Sequence, residues 1–419
     1  MNATHAFDAA LLAELARCHG TPLYVYDAST IRAQVERLRA ASRSVADLGT
    51  GLRGFERIRF AQKANSCQAI LRLLVDQGVA LDAVSAGEIQ RARAAGVPAT
   101  EITFCADLFD PAALELIRTQ ALTVVAGSRD MLEQLARLRP AAKLWLRVNP
   151  GYGAGGHAKV TTGGEHSKHG IWHAELGAAV KQAKGLGLEV SGLHVHVGSG
   201  FGPADFQAAA MAVIEAARCV GPSLTSISAG GGLPVPYHDD EAEFDLLAHA
   251  RTWSQARQQI EWELQRPVAM EVEPGRFLVA QAGVLLTTVH ATKTQGREHY
   301  ALVDAGFHSL VRPAMYGAFH RIEPLVRRQG PQRPTWIAGP LCESGDVLST
   351  DGTRPAARLM PPLQMGDVLA VRDVGAYGAS MASRYNSQPL PAEVLVDQGR
   401  VRLIRARETF EDLLRQERE

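Results

Sequence analysis

Short apolar runs recur through the first two thirds of the chain, each bounded by polar or turn-forming residues. Eight of them read as strands, at 58–61, 80–84, 102–105, 122–126, 144–148, 190–197, 226–229 and 268–272. Between them the apolar spacing shifts to the helical period, as over 69–77, 86–95, 111–120, 129–138 and 206–220. Regular strand–helix alternation makes the strands parallel and the helices crossovers. Eight such units over roughly 220 residues fit an α/β fold of the (β/α)8 TIM-barrel type, which typically takes ~250 residues. A doubly wound sheet is the rival. It usually carries a Gly-rich dinucleotide loop after its first strand, and the segment from Ala61 to Asn65 offers none.

The pattern changes near Gly275. Runs at 284–289, 300–303, 336–338, 368–372, 393–396 and 401–404 are short and set apart by turns such as Asp351-Gly352, Gly366-Asp367 and Gln398-Gly399. This predicts a mostly-β C-terminal domain, closed by a helix over 408–417. The run 23–26, after Gly20-Thr21-Pro22 and before a helical stretch at 29–41, is also strand-like. The expected division is an N-terminal segment, 1–30, joining the β domain; a barrel, 31–275; and the β domain, 276–419. The segment 151–170 is a long loop rich in Gly, His and Thr, of the kind that is usually functional or mobile.

Composition narrows the function classes. The 419 residues are 46% hydrophobic and 21% charged, ordinary for a globular chain that needs no staples. Lys+Arg and Asp+Glu balance at 44 each, so no global field favours nucleic acid or an anionic membrane. No apolar run approaches the roughly 20 residues of a membrane span, and no basic-then-apolar leader opens the chain. The five cysteines, Cys18, Cys67, Cys105, Cys219 and Cys342, are widely spaced with no C-x-x-C pair. That argues for a reducing cytoplasm and against a disulfide framework or a zinc site.

Chemistry gathers at the C-terminal ends of the expected strands, where barrel enzymes place their sites. Strand one ends at Lys63, at the barrel mouth; a lysine amine becomes a nucleophile and imine former when partly desolvated. Strand two contains Asp82, and strand five ends at Arg147 and Asn149. Strand six carries His194 and His196 and runs into Gly198-Ser199-Gly200; the two histidines are expected on opposite faces, with His196 as a group that stacks on a ring. Strand seven ends in Gly230-Gly231-Gly232, a candidate phosphate nest, and Arg276 beyond strand eight could neutralise the same phosphate. Glu273 could hold a pyridine nitrogen protonated and so make the ring an electron sink. Together these groups point to pyridoxal 5′-phosphate. The β domain adds Cys342 as an acid, Glu343 as an ammonium-binding carboxylate, Tyr377 in a Gly-flanked loop within reach of phosphate or substrate, and Arg312 with Tyr316 as a carboxylate clamp.

These residues stand in longer motifs: Gly20-Thr21-Pro22-Leu23-Tyr24-Val25-Tyr26-Asp27, Ala61-Gln62-Lys63-Ala64-Asn65, His194-Val195-His196-Val197-Gly198-Ser199-Gly200, Glu273-Pro274-Gly275-Arg276, Cys342-Glu343-Ser344-Gly345-Asp346 and Gly375-Ala376-Tyr377-Gly378. With them the chain resembles the diaminopimelate decarboxylases, fold-type III pyridoxal-phosphate enzymes with an alanine-racemase-like barrel and β domain. The segment from Thr162 to Trp172 resembles the corresponding loop of the proteobacterial branch. The resemblance implies a carboxy-lyase that converts meso-2,6-diaminopimelate to L-lysine and carbon dioxide, working as a head-to-tail homodimer with shared active sites. It implies Lys63 as the cofactor-bearing lysine and His196 stacked on the ring. Ser199, Gly230, Gly231, Gly232, Glu273, Gly275, Arg276 and Tyr377 would lie at the cofactor. Arg276, Arg312, Tyr316, Glu343 and Tyr377 would lie at the substrate, and Cys342 would be the proton donor, with Cys342 and Glu343 coming from the partner subunit. Rival readings are a decarboxylase of the same scaffold acting on ornithine, lysine, arginine or carboxynorspermidine, and a non-catalytic pyridoxal-phosphate carrier. A distal carboxylate suits Arg312 and a distal ammonium suits Glu343, so having both favours diaminopimelate.

Overall fold

A computed structural model describes residues 7–48, 51–153, 162–200 and 202–418. The middle of the long loop expected at 151–170 therefore lies outside the described residues, as does the start of the N-terminal segment. The chain divides into two compact units. One takes Gln34–Pro234 and Glu243–Phe277; the other takes the described residues within Met1–Ala33, Val235–Ala242 and Leu278–Glu419.

In the first unit all eight expected strands form: Arg57–Ala61, Ala80–Ala83, Ile102–Phe104, Thr123–Ala126, Lys143–Asn149, Glu189–Val195, Ser226–Ser228 and Ala269–Val272. Every neighbouring pair is parallel, and the eighth strand pairs with the first through Glu271 with Arg57 and Val272 with Ile58, so the sheet closes into a barrel. That closure excludes the doubly wound sheet. A two-residue strand, Ile171–Trp172, adds to the fifth strand just beyond the long loop. The crossover helices start where the sequence supplies an oxygen. Ser85, Asp110, Ser128 and Asp245 accept the backbone N–H of Glu88, Ala113, Met131 and Ala248, each three residues on.

Successive strand residues point to opposite faces, and in this barrel the two sets differ in chemistry. Ile58, Phe60, Leu81, Leu146 and Leu193 are buried apolar residues. Alternating with them, Arg59, Asp82, Arg147, His194, Glu271 and Glu273 are buried and charged or polar. Arg59, 1% exposed, forks onto Glu271, with Nε 2.5 Å from Oε2 and Nη2 3.0 Å from Oε1. Nη1 reaches the Glu101 carbonyl at 3.0 Å. Buried charges persist only when paired in this way.

The second unit is a mostly-β sheet. Its spatial order is Arg358–Met360, Arg333–Ala338, Glu298–Val303, Gly283–Gln295, Leu23–Asp27, Ala392–Asp397 and Arg400–Arg405. Val368–Val371 also pairs with Gly283–Gln295 and carries Ile322–Pro324. The N-terminal strand runs antiparallel to Gly283–Gln295 and parallel to Ala392–Asp397. It is buried along its whole length, which explains its unbroken apolar run, and its two phenols are satisfied at Ser309 O (2.5 Å, from Tyr24) and Glu393 Oε2 (2.7 Å, from Tyr26). Leu12, Leu15 and Ala16 of the helix Ala9–His19 pack into the same core as Leu23, Val25, Val284, Leu286 and Val394. The helix expected at 408–417 is shorter, Phe410–Leu414, begun by Thr409 and Asp412 in a capping box.

Removing Arg59 leaves the buried Glu271 only the half-exposed Arg57 guanidinium, 3.9 Å from its Oε1, whereas removing both members of the pair leaves no buried charge behind. Arg59→Met should cost about 3–5 kcal/mol in chemical denaturation, and adding Glu271→Leu should recover most of it. Equal midpoints for the single and double variants would contradict this account of the barrel interior.

Candidate active site

The barrel strands deliver their C-terminal ends to one face of the first unit, and the expected residues of this unit lie there. Lys63 sits on the one-turn 3₁₀ segment Gln62–Ala64 that follows strand one, with its side chain exposed. Its charge acts on Asp82, Glu88 and His196. The loops after strands six, seven and eight are stitched together. Gly200 N–H donates to Gly232 O (2.9 Å), and Glu273 N–H donates to Gly230 O (2.8 Å). Only glycine fits at the contact. A Cβ on Gly230 would lie 2.1 Å from Val195 O, and one on Gly231 would lie 2.2 Å from Glu273 O; Gly230 and Gly232 also have φ of +65° and +91°.

The electrostatic centre is Glu273, 4% exposed. Its Oε1 accepts from Ser228 Oγ at 2.6 Å, and its Oε2 lies 2.8 Å from His194 Nε2. Burial alone would raise this carboxyl; the His194 imidazolium, the hydrogen bonds from His194 and Ser228, and the Arg59 charge outweigh it and hold Glu273 below the usual carboxylate range. Burial would likewise lower His194, but Cys105 and Glu273 push it up to about 10. Cys105 Sγ lies 3.9 Å from His194 Nδ1; burial would raise this thiol, yet His194 draws it down. Asp82, whose Oδ1 has no hydrogen-bond partner, is pushed well up by burial and by the neighbouring Glu273 and Cys105.

His196 is half-buried, and its Nδ1 accepts the Gly231 N–H at 3.3 Å. Burial, and then the Lys63 and Arg147 charges, keep it well below the ordinary imidazole value and hence neutral. The expectation that His194 and His196 face opposite ways is wrong. Residues two apart on a strand share a face, and both rings turn inward, His194 to Glu273 and Cys105 and His196 to Gly231. Ser199 is half-buried, Gly275 buried, and Arg276 half-buried at the head of the short helix Arg276–Val279. The ends of the long loop are held by Asn149, whose Oδ1 accepts from Gly151 N (3.1 Å) and Gly164 N (2.9 Å), and by Thr162, whose hydroxyl donates to His196 O (2.9 Å). Near them Asp107 takes His169 Nδ1 at 2.7 Å and Arg147 at 3.8 Å.

The remaining expected residues belong to the second unit. Arg312 (6% exposed) heads the short helix Arg312–Tyr316, and Tyr316 is half-buried. Cys342 and Glu343 are exposed and braced by two consecutive residues that the sequence did not single out. Asn386 Oδ1 accepts the Cys342 N–H (2.9 Å), and the Tyr385 hydroxyl donates to Glu343 Oε1 (2.7 Å). Tyr377 is half-buried with a left-handed backbone, φ +59°, as has Asp373 (φ +60°), a conformation concentrated at functional loops.

Known proteins resemble the chain over most of its length. Residues 35–280 match the family model described as "Pyridoxal-dependent decarboxylase, pyridoxal binding domain". The diaminopimelate decarboxylase of Escherichia coli (strain K12) is 47% identical over 405 residues, covering 94% of this chain and 93% of that protein. That of Streptomyces coelicolor is 45% identical over 423 residues, 99% of this chain and 93% of that one. The chain belongs to the diaminopimelate decarboxylase family. A crystal structure of a diaminopimelate decarboxylase superposes with a TM-score of 0.91 at 45% identity, covering 99% of this chain and 98% of that one. The Helicobacter pylori diaminopimelate decarboxylase complexed with L-lysine does so with a TM-score of 0.85 at 31% identity, covering 96% and 98%.

The family's cofactor is pyridoxal 5′-phosphate, and the donor set of the barrel mouth fits it. An accessible lysine amine, a carboxylate fixed in its charged form, a neutral imidazole and a glycine nest where no side chain could stand are the complements of its aldehyde, ring nitrogen, ring face and phosphate. Among the described residues no helix is long and apolar enough to cross a membrane.

The pair Glu273–His194 has a pH signature. A depressed Glu273 contributes stability above the unfolded carboxyl value (about 4.3) that is lost as pH falls through its folded value. A raised His194 contributes stability below the unfolded imidazole value (about 6.5) that is lost as pH rises toward about 10. The thermal-stability gap between apoprotein and its His194→Gln variant should therefore be widest near pH 5–6 and shrink steadily by pH 9–10. A gap independent of pH would show that His194 is not charged in the fold.

Proposed function

We infer that this chain decarboxylates meso-2,6-diaminopimelate at its D-configured centre, giving L-lysine and carbon dioxide, the last step of lysine biosynthesis. The observation that carries this is 47% identity across 94% of the chain to a diaminopimelate decarboxylase, joined to a barrel mouth fitted for pyridoxal 5′-phosphate. When bound, that cofactor supplies an aldehyde for the substrate amine and a pyridine ring that accepts the electrons left by carbon dioxide.

The protein's own residues are assigned as follows. Lys63 offers the amine that carries the cofactor. Glu273, kept anionic by His194 and Ser228, favours a protonated ring nitrogen, and this fixed charge needs no reorganisation during the reaction. His196 presents a neutral ring to the cofactor face. The amides of Gly230, Gly231 and Gly232, with Ser199, Gly275, Arg276 and Tyr377, are assigned to the phosphate end and its surroundings. Arg312 pairs the distal carboxylate, Glu343 the distal ammonium, and Tyr316, Arg276 and Tyr377 complete the substrate set. Cys342 gives the proton that replaces carbon dioxide on the reacting carbon. The working form is a cytoplasmic homodimer in which Cys342 and Glu343 serve the partner subunit's site. A substrate with only a distal amine, such as L-lysine or L-ornithine, brings no distal carboxylate to Arg312, and polar recognition of this kind rejects such analogues strongly.

Purified protein with pyridoxal 5′-phosphate should form equimolar lysine and carbon dioxide from meso-diaminopimelate, and little product from L-lysine, L-ornithine or L-arginine in parallel. Glu343→Gln should keep the cofactor yet lower kcat/KM for diaminopimelate by about tenfold or more, the loss of one charge-assisted contact. Turnover of a diamino acid lacking the second carboxylate, in preference to diaminopimelate, would overturn the substrate reading; full activity of Glu343→Gln would remove that residue's role.

A further inference from the structure

The Arg312 side chain is held by a residue with no assigned part in recognition. We propose that His320 is a positioning residue that orients the Arg312 fork toward the carboxylate of the L-configured centre, the end that substrate and product share. The proposal rests on the reading of Arg312 as the distal-carboxylate clamp.

Arg312 heads its helix, Gly317 turns the chain in a left-handed conformation (φ +62°), and His320 comes back beneath the guanidinium, fully buried. Arg312 Nη1 lies 2.7 Å from His320 Nε2, and His320 Nδ1 lies 2.8 Å from the Arg372 carbonyl oxygen. These partners fix the tautomer by chemistry alone. A guanidinium can only donate and a carbonyl can only accept, so Nε2 carries the lone pair and Nδ1 carries the hydrogen. A protonated ring would turn a donor on a donor and set two cations side by side in a buried place. The neutral ring is thus a rigid acceptor anchored from behind. Tyr237 completes the hold. Its hydroxyl lies 3.1 Å from Arg312 Nη1, its ring face lies 4.9 Å from the guanidinium carbon, and its edge meets His320 at 82°. The anchor has a further consequence. The Arg372 carbonyl immediately precedes Asp373, which opens the loop bearing Tyr377, so one imidazole links the Arg312 side chain to the backbone at the start of that loop.

The test compares L-lysine with 1,5-diaminopentane, which keeps the chain and both amines and lacks only the carboxylate. Affinities for both are measured by calorimetry on the holoenzyme. Wild type should prefer L-lysine, and Arg312→Gln should abolish the preference. His320→Phe, which keeps a ring without an acceptor, and His320→Asn, which retracts the acceptor, should each weaken L-lysine by about tenfold and leave 1,5-diaminopentane within about twofold. His320→Gln, whose amide oxygen reaches toward the Nε2 position, should keep most of the preference. A merely structural role would weaken both ligands alike. If Arg312→Gln loses the preference while His320→Phe and His320→Asn retain it, the positioning role is overturned and the clamp stands. If Arg312→Gln retains it, the clamp itself falls. Should the Phe variant fail to fold, the Asn variant decides.

Discussion

A buried negative charge at Glu273 is the constraint around which the barrel is organised. An ionised carboxylate this far from water is costly unless its oxygens are met by donors, and here Ser228 and His194 meet one each. That requirement reaches back along three strands. It places a hydroxyl on strand seven and an imidazole on strand six. It also demands a close approach of the strand-seven loop to the Glu273 backbone, which Gly231 alone permits. The same loop lays its amides beside His196. Ser228, which meets the carboxylate, and the glycines that would seat a phosphate follow one another along a single stretch of chain, 228–232.

The price of a polar barrel interior is paid in pairing rather than in apolar packing. Arg59 forks onto Glu271 one layer below, and burial with the neighbouring Glu273 and Cys105 pushes the Asp82 carboxyl, with its unpartnered oxygen, well up. Such an interior stabilises the fold less than leucines and valines would. What it provides is a preorganised field at the mouth, aimed before any ligand arrives.

Much of this was legible in the sequence. The eight barrel strands announced themselves because runs of three to seven apolar or alternating residues, separated by capped helices, admit few other arrangements. Lys63, the three glycines and Glu273 stood at strand ends, where barrel chemistry collects. The short strands Ile322–Pro324 and Arg358–Met360 escaped because three residues carry no readable period. The polar network escaped for a different reason. Ser228 and Glu273 are 45 positions apart and His194 and Glu273 are 79 apart, and no local pattern reports such meetings. His194 could have been placed correctly from strand periodicity, since it shares a face with His196. The bracing of Cys342 and Glu343 by Asn386 and Tyr385, and of Arg312 by His320 and Tyr237, likewise becomes visible only when distant loops are brought together.

On the proposed reading the barrel mouth holds pyridoxal 5′-phosphate on Lys63. Holoprotein reduced with borohydride and digested should yield a phosphopyridoxyl group on the peptide bearing Lys63, in about one equivalent per chain, and a Lys63→Ala protein should take up none. A label on another lysine, or equal labelling of the Lys63→Ala protein, would contradict the account.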